Sequence, residues 1–402
     1  MDKHLLQEIE LGTRSALVKK SIINYFIYNG SSTLTDLSKE LNLSVPTVTK
    51  FVDEMCSEGY INDNGKLETS GGRHPNIYGL NPESGYFIGV DIKANGLNIG
   101  LINFKGDVME LKMDIPHVIG DTVESMNELC QYIRDFIDSL TIDKSKILNI
   151  NVNISGRVNP DEGYSYSKFN FEERPLTERL SEKIGYNVAI DNDTRAMTYG
   201  EYLQGCVKGE RDVLFVNISW GLGIGIIIDG KVYKGKSGFS GELGHVSTFD
   251  NEIICHCGKK GCLETEASGS ALHRILLERI KKGENSILSP RIDDKKNPIT
   301  LEDIIDAVSK EDMLCIEIVD EIGLKLGKSI AGLINIFNPE MVVIGGTLSR
   351  TGDYLVQPLK SAIRKYSLNL VNKDSIIVTS KLKEKAGAIG ACLLARGKMF
   401  ED

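Results

Sequence analysis

The chain has no excess of basic residues. Lys and Arg total 47 against 56 Asp and Glu, a formal net charge of −9, which excludes a chain-wide basic surface for nucleic acid and leaves only local contact. Long hydrophobic runs are also missing. The longest apolar stretch, Val213 to Ile228, is broken by Asn217, Ser219 and three glycines, so it does not read as a membrane span. Charges scattered through the first thirty residues exclude the apolar centre of a secretory signal, and the expected location is the cytoplasm. Tryptophan occurs once, at Trp220.

What is present is ordinary for a folded protein: 41% hydrophobic and 26% charged residues argue against disorder. A length of 402 residues exceeds one hydrophobic core and predicts two or three domains. The eight cysteines are unevenly placed, with Cys255, Cys257 and Cys262 inside eight residues. Such clustering in a cytosolic chain points to metal rather than to disulfides.

The first eighty residues differ from the rest. Ile22, Ile23, Phe26 and Ile27 form one helical face, a short helix carries Leu37 and Leu41, and Asn42-Leu43-Ser44 makes a turn. A second helix follows, with Val48, Val52 and Met55 inward, Ser44 as N-cap and Pro46 in the first turn. After Gly59, the run Asn62-Asp63-Asn64-Gly65 reads as the turn of a hairpin. Helix, turn, helix and hairpin outline a winged helix-turn-helix over residues 1–80, closed by a linker at Ser70-Gly71-Gly72-Arg73-His74-Pro75.

Residues 81–402 form the second part. Phe87 to Met113 reads as three strands with tight turns, and Val213 to Lys234 repeats the outline. Helical sequence follows each copy, predicting an α/β body of two related lobes, about 81–195 with the C-terminal helix and 196–390. Further elements are expected at Thr122–Leu140, Ile147–Ile154, Leu176–Ile184, Ala271–Lys282, Cys315–Phe337, Met341–Ile344 and Ala386–Arg396.

Three groups carry chemistry. Cys255, Cys257 and Cys262 with His245 make a Cys3His set suited to structural Zn²⁺, and His256 is an alternative to His245. If zinc ties His245 to the cysteine loop, Glu242 and Glu264 come to one locality, where paired carboxylates accept hydrogen bonds from sugar hydroxyls. The alternative is that they face solvent or merely support the metal ligands. Asp191-Asn192-Asp193-Thr194-Arg195 ends an apolar strand and opens a helix, where an Asp serves either as general base or as helix cap.

Taken together, Glu242-x-x-His245, the Cys255 to Glu264 segment and Asn192-Asp193 resemble the ROK family of sugar kinases and sugar-responsive repressors. The resemblance runs from about Tyr86 to the C-terminus through Asn338-Pro339-Glu340, Gly345-Gly346 and Gly387-Ala388-Ile389-Gly390-Ala391. It implies an actin-like, ribonuclease H-like fold of two lobes with sugar in the cleft. It also implies that Asn192, Asp193, Glu242, His245 and Glu264 bind sugar hydroxyls, joined by Gly156 and Arg157 of a substrate-side loop. Asp193 takes the position of the catalytic base, and His245 serves both zinc and sugar.

The departures concern ATP. ROK kinases carry Asp-x-Gly-Gly-Thr-Lys where this chain has Asp91-Ile92-Lys93-Ala94-Asn95-Gly96, and Gly-Thr-Gly-x-Gly where it has Ser219-Trp220-Gly221-Leu222-Gly223. Phosphate cradles need bare backbone amides and a hydroxyl, and an indole supplies neither, so ATP is not expected as a cofactor. The alternative has Trp220 turned into the core and ATP still bound.

The head separates the family's branches, since its repressors carry one and its kinases generally do not. Ser44, Thr47, Thr49 and Lys50 are expected to reach phosphates or base edges, with Arg73 entering a minor groove. Residues 1–80 hold eight Lys and Arg against ten Asp and Glu, a local charge of −2, so binding needs two heads on one operator. The expected function is a sugar-responsive regulator of carbohydrate metabolism, a repressor, acting as a homodimer or homotetramer with operator DNA and a sugar or sugar phosphate as partners. The alternative is an ATP-dependent sugar kinase that keeps a DNA-binding head. Control by a protein partner, as in some ROK repressors, has no marker here.

Overall fold

A computed structural model describes residues 8–9, 11–66, 75–94, 96–118 and 120–401. The chain divides into two compact units, residues 1–196 with 387–402, and residues 197–386.

The first unit begins with helix α1 (Arg14–Asn29), capped by the Thr13 hydroxyl on the Ala16 amide. Strand β1 (Ser32–Thr33), helix α2 (Leu34–Glu40) and helix α3 (Val45–Ser57) follow. Ser44 caps α3 and Pro46 lies in its first turn, where proline has no amide to lose. Ile22, Ile23, Phe26, Leu37, Val48, Val52 and Met55 are buried together as this module's core. The buried Lys19 on α1 ties it to α3 through Glu58 at 2.6 Å and Glu54 at 3.4 Å.

The wing differs from expectation. Asn62-Asp63-Asn64-Gly65 does not reverse the chain: it lies within strand β2 (Ile61–Lys66), which pairs antiparallel with β3 (Asn76–Leu80). The Asp63 carboxylate accepts the Gly65 amide at 2.9 Å, and the register shifts between Asp63 and Lys66. The strong local turn signal is therefore absorbed as a bulge. Strand β3 follows directly on the expected linker at Asn76; residues 70–74 of that linker, including Arg73, lie outside those described.

The rest of this unit is a five-stranded sheet in the order β10-β7-β4-β5-β6. It comprises β4 (Tyr86–Lys93), β5 (Gly96–Asn103), β6 (Val108–Pro116), β7 (Ile147–Ile154) and β10 (Val188–Asn192). β4, β5 and β6 form an antiparallel meander, while β4, β7 and β10 run parallel. Helices α4 (Val123–Ser139) and α5 (Leu176–Ile184) and a small hairpin of β8 (Val158–Asn159) with β9 (Tyr164–Ser165) complete it.

The second unit repeats the plan as β13-β12-β11-β14-β15. Its meander is β11 (Val213–Ile218), β12 (Leu222–Ile228) and β13 (Lys231–Val232), with β14 (Met341–Gly345) and β15 (Ile376–Thr379) parallel to β11. The recurring order is the duplication expected from the two meanders. Helix α6 (Asp193–Gln204) carries the chain from the first unit into the second, and helix α12 (Ala386–Phe400) returns it. Between them stand α7 (Gly269–Lys281), α8 (Leu301–Ser309), α9 (Met313–Phe337), α10 (Asp353–Tyr366) and α11 (Asn369–Asp374). The α9 face bearing Ile318, Ile322, Leu326 and Ile330 is fully buried, each side chain contributing roughly 1.5–3 kcal/mol by leaving water.

Candidate functional site

In the first unit the ends of three parallel strands gather the polar residues. Register places Asp91 on β4 beside Asn153 on β7, and Asn153 beside Asp191 on β10. Asp191 is buried and bonded to Arg195 Nε at 2.7 Å, with Lys398 Nζ at 3.4 Å. Burial opposes its ionisation, but Lys398 and Arg195 outweigh that and hold it below the usual carboxylate range. Asp191 therefore anchors the strand end rather than serving as a base.

Asp193 opens α6, its Oδ1 accepting the Thr194 amide at 2.7 Å. Burial pushes its carboxyl up against that hydrogen bond. Asp91 is also raised, to about 6, by burial and then by the charge of Asp193. Its Oδ1 lies 3.5 Å from Asn153 Nδ2, while its Oδ2 has no partner. Asn192 donates from Nδ2 to the Gly156 carbonyl at 2.9 Å, and its Oδ1 accepts the Arg195 amide. Gly156 and Arg157 are exposed, and the Arg157 amide donates to Ser167 Oγ at 2.9 Å.

The second unit holds a Cys/His cluster that could ligate a metal. The ligand atoms of His245, Cys255, Cys257 and Cys262 all lie within 4.8 Å of one another. Cys257 and Cys262 sulfurs are 3.6 Å apart, and Cys255 Sγ is 3.5 Å from His245 Nδ1. Thiolates around a tetrahedral Zn²⁺ at ~2.3 Å stand roughly 3.8 Å apart, so the donors and their spacing fit that ion. The loop is built for closeness: the Cys255 amide donates to the Lys259 carbonyl at 2.8 Å, and Ser247 bridges to Cys262. Gly261 has φ +75°, and a Cβ there would lie 2.2 Å from the Phe249 carbonyl oxygen, so only glycine closes it.

His245 points both ways. Its Nδ1 faces Cys255, while Nε2 stands 3.6 Å from a Glu242 carboxylate oxygen. Glu264 is buried; its Oε2 accepts the Leu222 amide at 2.9 Å and its Oε1 lies 2.9 Å from His256 Nδ1. His256 is thus drawn to Glu264, with its Nδ1 also 3.8 Å from Cys255 Sγ, and His245 is the histidine whose ligand atom groups with all three cysteines.

Two loops depart from the kinase pattern. In the first, Lys93 pairs with Gly96 and its ammonium lies 3.4 Å from Asp114. At Ser219-Trp220-Gly221, the Ser219 and Trp220 carbonyls accept the Gly269 and Ser270 amides at 2.8 and 2.9 Å. The Ala271 amide goes to Ser268 Oγ. The N-terminus of α7 therefore has its first three amides engaged and is no phosphate cradle. Trp220 is not turned into the core: it is 52% exposed and packs beside His273, ring centroids 5.6 Å apart.

On α3, Ser44 Oγ and Thr47 Oγ1 are 2.8 Å apart, Thr49 Oγ1 donates to the Val45 carbonyl at 2.9 Å, and Lys50 is exposed with Glu54 at 3.9 Å. All four lie on the helix start or its outward side.

Residues 87–398 match the ROK family, and residues 18–62 match a winged helix-turn-helix DNA-binding family. The chain belongs to the ROK family. It is 31% identical over 387 residues to a xylose repressor of Caldicellulosiruptor bescii, covering 96% of this chain and 95% of the relative. A glucokinase of Halalkalibacterium halodurans is also 31% identical, over 320 residues, but the match covers 77% of this chain against 95% of the kinase. Among solved structures, a ROK family transcriptional regulator, a homolog of the Escherichia coli MLC protein, superposes with a TM-score of 0.79 at 28% identity, covering 96% of each chain. The xylose repressor match thus spans nearly all of this ROK chain, and the kinase match about three quarters of it. No helix among the described residues is long and apolar enough to cross a membrane.

Sequence reasoning missed the charge of Asp193 acting on Asp91, because it treated Asp91 only as part of a lost phosphate loop. Strand register sets Asp91 and Asp191 on either side of Asn153, but Asp193 lies beyond the strand, in the first turn of α6. It also missed Ser167 as the support of the Gly156 loop.

Proposed function

We propose that this ROK protein is a sugar-responsive transcriptional repressor of carbohydrate metabolism, with residues 1–80 as reader and 81–402 as sensor. One observation carries the reading: a winged helix-turn-helix shares a chain with a ROK body that has an indole at the position of the second phosphate loop, its neighbouring helix amides already engaged. Asn192 and Asp193, with Gly156 and Arg157 nearby, are the sugar ligands of the first unit; Glu242, His245 and Glu264 are those of the second. Zn²⁺ on His245, Cys255, Cys257 and Cys262 is structural: it holds the His245 ring so that Nε2 stays available. The protein acts in the cytoplasm as a homodimer or homotetramer, two heads compensating for the weak charge of each.

Ser44, Thr47, Thr49, Lys50 and Arg73 contact operator DNA. The test is fluorescence anisotropy of DNA from the gene's upstream region, titrated with the zinc-loaded protein and then with xylose, glucose, N-acetylated hexosamines and their phosphates. Release by one of these, with a matching rise in thermal midpoint, is expected. Operator binding unmoved by every sugar and sugar phosphate overturns the reading.

A second reading, a sugar kinase with a DNA-binding head, is favoured by the raised carboxyl of Asp193 at the base position. A coupled assay with ATP and the same sugars separates the two. Turnover abolished by Asp193→Asn would rank the kinase first.

A further inference from the structure

We infer that Trp220 is a stacking platform for the effector, so that the indole which displaces the phosphate loop's hydroxyl has become part of the sugar pocket. The inference rests on the proposed sugar-responsive function and names the chemistry of its ligand: a neutral pyranose presenting one apolar C–H face.

Trp220 stands at the turn between β11 and β12 and forms one wall of a groove of about 240 Å³. The zinc-loop residues Ile254 and His256 and the α7 residues Ser270 and Arg274 supply other walls, and the buried Glu264 reaches the same groove. The indole lies partly against His273. Its Nε1–H has no acceptor among the described residues, and half of its surface is open to solvent. A tryptophan so placed in a tight loop is costly to leave bare: it offers a large rigid apolar face and an unused donor, features typical of a binding pocket rather than of a solvated turn.

The polar groups of the groove select the ligand class. Arg274 is committed, donating to both Glu278 oxygens at 3.0 and 3.2 Å and to the Thr265 carbonyl at 2.8 Å. His256 is committed to Glu264 at 2.9 Å. The α7 amides are engaged by Ser219, Trp220 and Ser268. No cation or bare amide is left for a phosphate, and the Glu264 carboxylate repels one. A carboxylate beside an aromatic face suits a ligand with hydroxyl donors on its edge and C–H groups on its face. A purine nucleotide also stacks on indole, but its phosphates would find the Arg274 guanidinium already taken by Glu278 and Thr265.

Because Trp220 is the chain's only tryptophan, its emission reports this groove alone. The experiment titrates the full-length, zinc-loaded protein with xylose, glucose, N-acetylglucosamine, glucose 6-phosphate and ATP, reading tryptophan fluorescence and, separately, calorimetric affinity. The expected result is that a neutral sugar that binds also shifts or quenches the emission, and that Trp220→Ala weakens its affinity tenfold or more while Trp220→Phe retains most of it. Circular dichroism and operator binding of both variants check that they fold. A sugar that binds by calorimetry with unchanged emission and unchanged Trp220→Ala affinity overturns the inference and leaves the sugar-responsive reading intact. Quenching by ATP alone overturns it in favour of a nucleotide. No heat of binding from any sugar or sugar phosphate removes the functional reading itself.

Discussion

The Tyr60 ring, just beyond the recognition helix, lies 6.0 Å from the ring of Phe104 in the first meander of the body. Both are buried, and Phe104 also meets Phe87 at 6.1 Å and Phe400 at 5.4 Å. Around them Asn81 and Ser84 donate to the Gly59 carbonyl, each at 2.8 Å, and the Asn81 amide donates to Tyr60. The reader is thus packed onto its sensor lobe, not hung on a flexible tether. Any effector signal has a solid contact to travel through, extending to the C-terminal helix at Phe400.

Phe104→Ala should cost about 3–5 kcal/mol, as for other buried aromatic truncations, read from the urea midpoint of unfolding. At urea concentrations where the variant stays folded, sugar should still bind but should release DNA less completely. Full release with normal amplitude would show that the aromatic junction transmits nothing.

Glu242 faces the nitrogen of His245 that is not turned to Cys255. Carboxylates in that position orient metal-bound imidazoles, and their loss weakens metal affinity roughly 10–100-fold. Glu242→Gln should therefore weaken zinc retention against a chromophoric chelator by about tenfold and also lower sugar affinity. Cys262→Ser should abolish zinc binding outright. Unchanged zinc affinity in Glu242→Gln would assign the residue to the sugar alone.

Asp91 has a folded-state pKa of about 6, above that of an unfolded Asp. The native state therefore holds its proton more tightly, and stability falls as pH rises from about 4 to 6; the cost is fully present above 6 and absent well below 4. Asp91→Asn should raise the thermal midpoint at pH 8, by an amount equivalent to at most roughly 3 kcal/mol, and the advantage should vanish near pH 3.5. A variant equally destabilised at both pH values would show that the carboxylate is needed for packing rather than tolerated for function.

Lys50 is the one cation proposed to contact DNA whose placement is described; it is 70% exposed on its side chain and only loosely paired with Glu54 at 3.9 Å. Lys50→Ala should weaken operator binding and lower the slope of log affinity against log salt by about one per head. Anisotropy titrations across a range of salt concentrations measure both. An unchanged slope would remove Lys50 from the phosphate contacts.

Much of this protein was legible because its signals are local. Ser44 with Pro46 announced the start of the recognition helix, and apolar runs such as Ile147–Ile154 and Leu176–Ile184 emerged as the expected strand and helix. The Cys3His set was readable because three of its ligands lie within eight residues. Where a local signal competed with long-range pairing, pairing won: Asn62–Gly65 has ideal turn chemistry, yet β3 recruits it into a strand and leaves only a bulge. Helix α10 was not anticipated; Pro358 sits inside it, and its burial against α9 overrides propensity.

By itself, the sequence determined the family, the winged helix-turn-helix and ROK body, the duplicated meanders and the close grouping of Cys255, Cys257 and Cys262, since these depend on composition and short spacing. Only the tertiary structure decided that the charge of Asp193 raises Asp91, that Trp220 faces a groove and that Tyr60 of the head packs against Phe104 of the body. Each of those depends on distances between residues far apart along the chain. Spacing along a sequence cannot supply such distances until strand register and helix packing have set them.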